Sequence, residues 1–136
     1  MSRPNLIKLL PLEENERRQW PRYLVPAEAP VVAGVALMDS EGRPRTLTGR
    51  VRDISEAGLS LSFPGDESCG ELSERGRTLA VVLALQSGVI TLRARVAHCA
   101  TRGGPAGTVG RVVGVSIVEI HAEDHDRLVE YIEERS

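Results

Sequence analysis

Arg18-Gln19-Trp20-Pro21-Arg22 places two arginines four residues apart, and Asp53-Ile54-Ser55-Glu56-Ala57-Gly58 adds an acid, a hydroxyl and a glycine. An arginine fork meets phosphate oxygens, or the O6/N7 edge of guanine, through two parallel N–H donors. A carboxylate does the complementary work and accepts from the N1–H and N2–H₂ groups of guanine. Together the two patterns hold what a guanine nucleotide with more than one phosphate requires. Neither is a catalytic constellation. Each pattern is short, and Asp66-Glu67-Ser68-Cys69-Gly70 comes close to the second. Order and context carry the reading: the arginines precede the first strand-like run, and the acidic pattern closes the second.

Those runs must position the residues. Residues 31–38 are apolar and end in the turn cluster Asp39-Ser40-Glu41-Gly42. From 46 to 54, Leu47, Gly49 and Val51 alternate with Thr48, Arg50 and Arg52, and Leu59, Leu61 and Phe63 alternate with Ser60 and Ser62. Such alternation predicts strands with one buried and one wet face. Residues 64–76 read as a polar loop. Residues 78–85 and 89–99 read as a hairpin across Gln86-Ser87-Gly88, residues 102–107 as a flexible tip, and 109–120 as a last long strand. Six strands at short spacing predict a mainly β, six-stranded antiparallel β-barrel, whose closure removes exposed edges. Residues 124–135 are the one clear helix, with Leu128, Val129 and Ile132 as its apolar stripe and acids near its start; it is expected to cover one barrel end. Residues 13–18 allow a helical turn, broken before Pro21.

The arrangement resembles the PilZ domain, a family of bacterial receptors for cyclic di-GMP. In that family an RxxxR motif lies ahead of a β-barrel and a [D/N]xSxxG motif ends a later strand. Arg18 and Arg22 match the first, Asp53, Ser55 and Gly58 the second, and Arg17 the extra arginine that many members carry. Gly114-Val115-Ser116-Ile117 is similar to a late family strand, with Ile117 where an aromatic is usual. The resemblance implies a short arginine-containing leader over residues 1–15, a single domain over 16–136, and cyclic di-GMP as ligand, with no cofactor. Arg18 and Arg22 would clamp phosphate and the guanine Hoogsteen edge, Arg17 would add a contact or stack on a base, and Asp53 and Ser55 would touch guanine. Gly58 would supply a turn conformation with φ > 0 and let a flat base approach the main chain. An N-terminal segment that orders on ligand binding would signal to a protein effector. The alternative within the family is a degenerate adapter that acts by protein contacts without nucleotide; such members usually lack one of the motifs, and this chain has both.

Composition narrows the classes. The 136 residues suffice for one domain with a core of its own. Aromatics at 3%, a net charge of −2 and a pI near 5.9 argue against polymeric nucleic acid as a partner. Yet all but one of the 17 basic residues are arginines, and seven of them fall between Arg17 and Arg52. A local basic face on an acidic chain suits a small anion. Cys69 and Cys99 lack metal-ligand spacing, His98 is expected to serve structure at a strand end, and His121 with His125 lacks a third fixed ligand. No triad order points to an enzyme. The apolar run at 6–10 is too short for a signal sequence or a membrane span, which predicts a cytoplasmic protein, monomeric or homodimeric.

Overall fold

The protein is described from a computed structural model, which covers residues 6–8, 22–38, 41–64, 74–103 and 109–135. Among the described residues eight strands are present: β1 (Leu6–Lys8), β2 (Tyr23–Leu24), β3 (Val32–Met38), β4 (Pro44–Ile54), β5 (Gly58–Pro64), β6 (Thr78–Leu85), β7 (Gly88–Gly103) and β8 (Val109–His121). One helix follows, α1 (Ala122–Arg135).

Six of the strands close on themselves. β8, β5, β4, β3, β6 and β7 pair in that order, all antiparallel, and β7 returns to β8. This is the barrel that the alternating pattern predicts. The alternation also fixes the faces: in β6, Leu79, Val81, Leu83 and Leu85 are buried while Thr78, Ala80, Val82 and Ala84 are exposed. Ile54, Leu61, Ile90, Ile117 and Ile120 fill the interior with the buried side of β6. Aliphatic side chains thus do the work that aromatics do in other small cores. Phe63 and, on the helix, Tyr131 are the exceptions; the Phe63 ring and the Ser62 carbonyl oxygen lie 2.8 and 2.6 Å from where a Cβ on the cross-strand Gly49 would stand. Glycine there makes room for the ring.

Two short strands were not expected. β1 pairs with the end of β8, and β2 pairs with the end of β4 through Tyr23↔Ile54 and Leu24↔Asp53. β7 also runs past the expected end at 99 and takes Arg102 and Gly103 into the sheet opposite Gly110 and Val109. The expected helical turn at 13–18 and most of the expected loop at 64–76 lie outside the described residues.

The helix seals the barrel end that carries the β4–β5 and β6–β7 turns. Leu128, Tyr131 and Ile132 are buried in the common core. Tyr131 thus takes the inward place that the sequence pattern gave to Val129, which is only half-buried. The Thr91 amide donates to Asp124 Oδ2 at 3.3 Å, His125 Nε2 stands 3.4 Å from Glu56 Oε1, and the Arg135 guanidinium donates to Gln86 Oε1 at 3.1 Å. Those contacts tie both helix ends to the rim. The Tyr131 ring meets Tyr23 edge-on at 5.7 Å, and Arg135 lies 4.1 Å over its face.

Burial, and secondarily the neighbouring Tyr23, push the Tyr131 phenol above its ordinary value of 10.0, while Arg135 pulls the other way. The neutral phenol is therefore favoured by the fold. Its contribution is fully present below the unfolded value and is lost as pH rises through the folded one. Thermal unfolding followed from about pH 9 to pH 11 should show a steeper loss of stability in the wild type than in Tyr131→Phe.

Candidate functional site

Arg22 of the first motif meets Asp53 of the second on the outer wall of the barrel. One lateral row crosses five strands: Leu24 on β2 pairs with Asp53 on β4, Asp53 with Ser60 on β5, Ser60 with Gly114 on β8, and Gly114 with His98 on β7. The centre of the row is small, a serine and a glycine. Asp53 and His98, which flank that centre, are polar and chemically able. The result is a shallow depression lined by Arg22, Ser55, Ala57, Gly58, Leu59, Ser60, His98, Gly114 and Val115.

Two register shifts deliver Asp53 and His98 to that row. Val51 pairs with Leu61 but Asp53 pairs with Ser60, so Arg52 is an extra residue in β4. Val96 pairs with Val115 but His98 pairs with Gly114, so Ala97 is extra in β7. Strict alternation from the buried Val51 and Val96 would send Asp53 and His98 inward. Each bulge shifts the phase by one, and both side chains come out on the wall. His98 therefore stands within β7, exposed, and not at the strand end where its sequence context put it.

Arg22 and Asp53 are already together. Arg22 Nη1 donates to Asp53 Oδ1 at 3.3 Å, with the arginine 44% exposed and the carboxylate 17%. β2 makes this possible: pairing of Tyr23 and Leu24 with β4, and the Val25 amide on the Arg52 carbonyl at 2.9 Å, hold the backbone beside Asp53. Arg17 and Arg18 lie outside the described residues.

Ser55 is 4% exposed. Its Oγ accepts from the Ala57 amide at 3.3 Å and the Gly58 amide at 3.1 Å, and donates to the Gly58 carbonyl at 3.2 Å. The Ser55 amide also donates to that carbonyl at 2.9 Å. One donor and two acceptors exhaust a hydroxyl. Ser55 builds the turn between β4 and β5, and the Ala57 carbonyl then accepts from the Ile117 amide at 2.9 Å, which pins the turn to β8.

Gly58 is required for a reason other than the one its motif implies. The glycines with positive φ are Gly42, Gly76 and Gly88 among the described residues, so Gly58 needs no left-handed backbone. A Cβ at Gly58 would instead stand 2.7 Å from the Val115 carbonyl oxygen. Close approach of β5 to β8 is what glycine permits there. Gly114 answers to the same logic on its other side: a Cβ would lie 2.1 Å from His98 Cε1, because the imidazole rests over the bare backbone. Sequence reasoning did not single out His98 or Gly114 as candidates, though both line the depression. The usable signal was the pairing of a lone histidine with a glycine on the adjacent strand, which needs the register.

The rest of the surface offers little competing chemistry. Among the described residues, no group of three His, Cys, Asp or Glu side chains is placed to hold a metal ion. His125 is engaged with Glu56, and His121 Nδ1 is buried with no hydrogen-bond partner among the described residues. No described helix is long and apolar enough to cross a membrane.

A closed six-stranded antiparallel barrel with a covering helix carries an Arg–Asp pair at its wall beside a depression lined by Ser60 and Gly114. The PilZ domain family model matches residues 16–134, and the chain belongs to that family. Among solved structures it is similar to the PilZ domain with c-di-GMP of YcgR from Escherichia coli, at a TM-score of 0.68 and 18% identity over 88% of this chain and 91% of that one. It is also similar to the K. pneumonia MrkH–c-di-GMP complex, at 0.68 and 19% identity over 87% of this chain and 52% of that one. The Bacillus subtilis inhibitor of motility (MotI/DgrA) aligns at 0.60 and 19% identity over 88% and 50%. The chain thus spans about half the length of the last two. Comparison with curated protein sequences finds no match.

Proposed function

We propose that this domain is a receptor for cyclic di-GMP. The observation that carries the reading is the Arg22–Asp53 pair at 3.3 Å on the rim of a depression floored by Ser60 and Gly114. The pair holds a phosphate-binding fork and a guanine-binding carboxylate at one place before any ligand arrives. Arg22, with Arg18 and Arg17 from the preceding segment, takes phosphate and the guanine Hoogsteen edge. Asp53 accepts from the Watson–Crick edge. The wall of small residues lets a flat base lie against the backbone, and the His98 imidazole borders it. Ser55 and Gly58 shape the site through the turn and the β5–β8 approach. Ordering of the segment around Arg17 and Arg18 on the ligand then signals to a protein effector. The structures with c-di-GMP of YcgR and MrkH support the ligand class.

The test is calorimetric titration of the protein with cyclic di-GMP beside a GTP control. Saturable binding of the dinucleotide and none of GTP is the expected result; equal or absent binding refutes the reading. Digestion with and without ligand tests the signal, with protection expected across residues 17–23.

His98 makes a separate prediction. An aromatic face against a base contributes about 1–3 kcal/mol. His98→Ala should therefore weaken binding about fivefold or more. Gly114→Ala should do the same by displacing the ring from its seat, with the barrel intact, since a side-chain tip gives way more readily than backbone. Titration of both variants checks this.

A further inference from the structure

Arg22 is presented to the site by a strand of two residues, and so short a strand has little hold of its own. Its backbone rests on β4 through Tyr23↔Ile54, Leu24↔Asp53 and the Val25 amide on the Arg52 carbonyl. Its side chains alternate. Arg22 lies outward on Asp53, and Leu24 is 75% exposed. Tyr23 turns the other way and packs on the core, as does Val25 just beyond the strand.

Tyr23 meets the helix there. Its ring stands edge-on to that of Tyr131, with the planes at 82°. Tyr131 is buried and is itself clamped. The Arg135 guanidinium covers its ring and donates to the Tyr131 carbonyl at 3.4 Å, and it also reaches Gln86 after β6. Contacts therefore run without a gap from the helix C-terminus through Tyr131 to Tyr23, whose chain neighbour Arg22 holds the Asp53 carboxylate. Tyr131 is not among the residues that line the depression.

We propose that Tyr131 is a positioning residue for the ligand site: by gripping Tyr23 from the helix it keeps β2 on β4 and the Arg22 fork at Asp53. The proposal rests on the cyclic di-GMP reading above. Successive side chains of a strand point to opposite faces, so a Tyr23 fixed inward is an Arg22 fixed outward. An arginine with a held backbone gives up less freedom when it takes a phosphate. The edge-on contact needs two rings, so a leucine cannot replace either partner. Linkage makes the relation mutual: a nucleotide that fixes Arg22 also stabilises the Tyr23–Tyr131 contact.

The first arm of the test omits nucleotide. Hydrogen exchange of the Val25 amide should speed up about threefold or more in Tyr131→Leu and keep its wild-type rate in Tyr131→Phe, which retains the ring. The second arm is calorimetric titration with cyclic di-GMP. Tyr131→Leu should weaken binding about threefold or more, and Tyr131→Phe should bind as the wild type does. Tyr23→Leu, at the half-buried ring, repeats both arms from the other partner. In an Arg22→Ala background Tyr131→Leu should cause no further loss, because the group it positions is gone. Leu79→Ala, in the core at the far end of β6 from the helix, controls for stability: it should lower the unfolding midpoint and leave affinity unchanged. Wild-type Val25 exchange in Tyr131→Leu, an equal loss of affinity in Leu79→Ala, or an undiminished loss in the Arg22→Ala background overturns the proposal and leaves the receptor reading standing. Failure of the wild type to bind refutes that reading and the proposal with it.

Discussion

Arg22→Ala is expected to weaken cyclic di-GMP binding by about tenfold or more, since a hydrogen bond to a charged group contributes about 1.5–3 kcal/mol. The loss has two parts. The guanidinium no longer reaches phosphate, and Asp53 no longer has the neighbour that holds its carboxylate toward the rim at 3.3 Å. Arg22→Lys separates charge from geometry: lysine keeps the charge but lacks the planar fork, so most of the loss should remain. The thermal stability of the unliganded protein should hardly change. An ion pair whose arginine is 44% exposed contributes about 0–1 kcal/mol. Calorimetric titration and thermal unfolding of the same preparations check both halves. Wild-type affinity in Arg22→Ala would remove the arginine from the site.

Gly58→Ala is the other large expected effect, and it falls on stability and binding together. The added Cβ would stand 2.7 Å from the Val115 carbonyl oxygen, a backbone atom that no rotamer change can move. β5 and β8 must part where Leu59 faces Val115 and Gly58 faces Ser116. Overpacking of this kind costs about 1–3 kcal/mol. The depression is built on the same strands, so affinity for cyclic di-GMP should fall as well. Gly34→Ala is the control: its Cβ meets nothing within 4 Å, and both stability and binding should stay at wild-type level. Denaturant unfolding of the two variants side by side distinguishes close approach from any general penalty for losing glycine.

Much of the barrel was legible because β-alternation writes each strand's faces into the chain. Leu59, Leu61 and Phe63 read as the buried face of their strand and are. Asp53 and Arg22 were legible as types, through charge and order. Their meeting was not, because it depends on β2, two residues too short to leave a periodic signal. His98 was hidden by a different cause. Counting by twos from Val96 sends it into the core, and only the extra Ala97 reverses that count. Gly58 was read as a turn glycine with positive φ that admits a base, whereas its φ is not positive and the Val115 carbonyl crowds its Cβ position; both causes leave the same letter in the sequence. Tyr131 was passed over for Val129 because apolar periodicity undervalues a tyrosine that is buried against another tyrosine.

That tyrosine pair gives the molecule a built-in optical gauge. Tyr23 and Tyr131 are the chain's two tyrosines, held edge-to-face at 5.7 Å, and its single tryptophan, Trp20, lies two residues before Arg22 in sequence. Light absorbed by the pair can pass to one acceptor located in the arginine segment itself. Only Tyr131 is a donor whose distance to Trp20 the short chain path does not fix, so a change in tyrosine-to-tryptophan emission that persists in Tyr23→Phe reads the distance from that segment to the helix, in unlabelled protein and in real time.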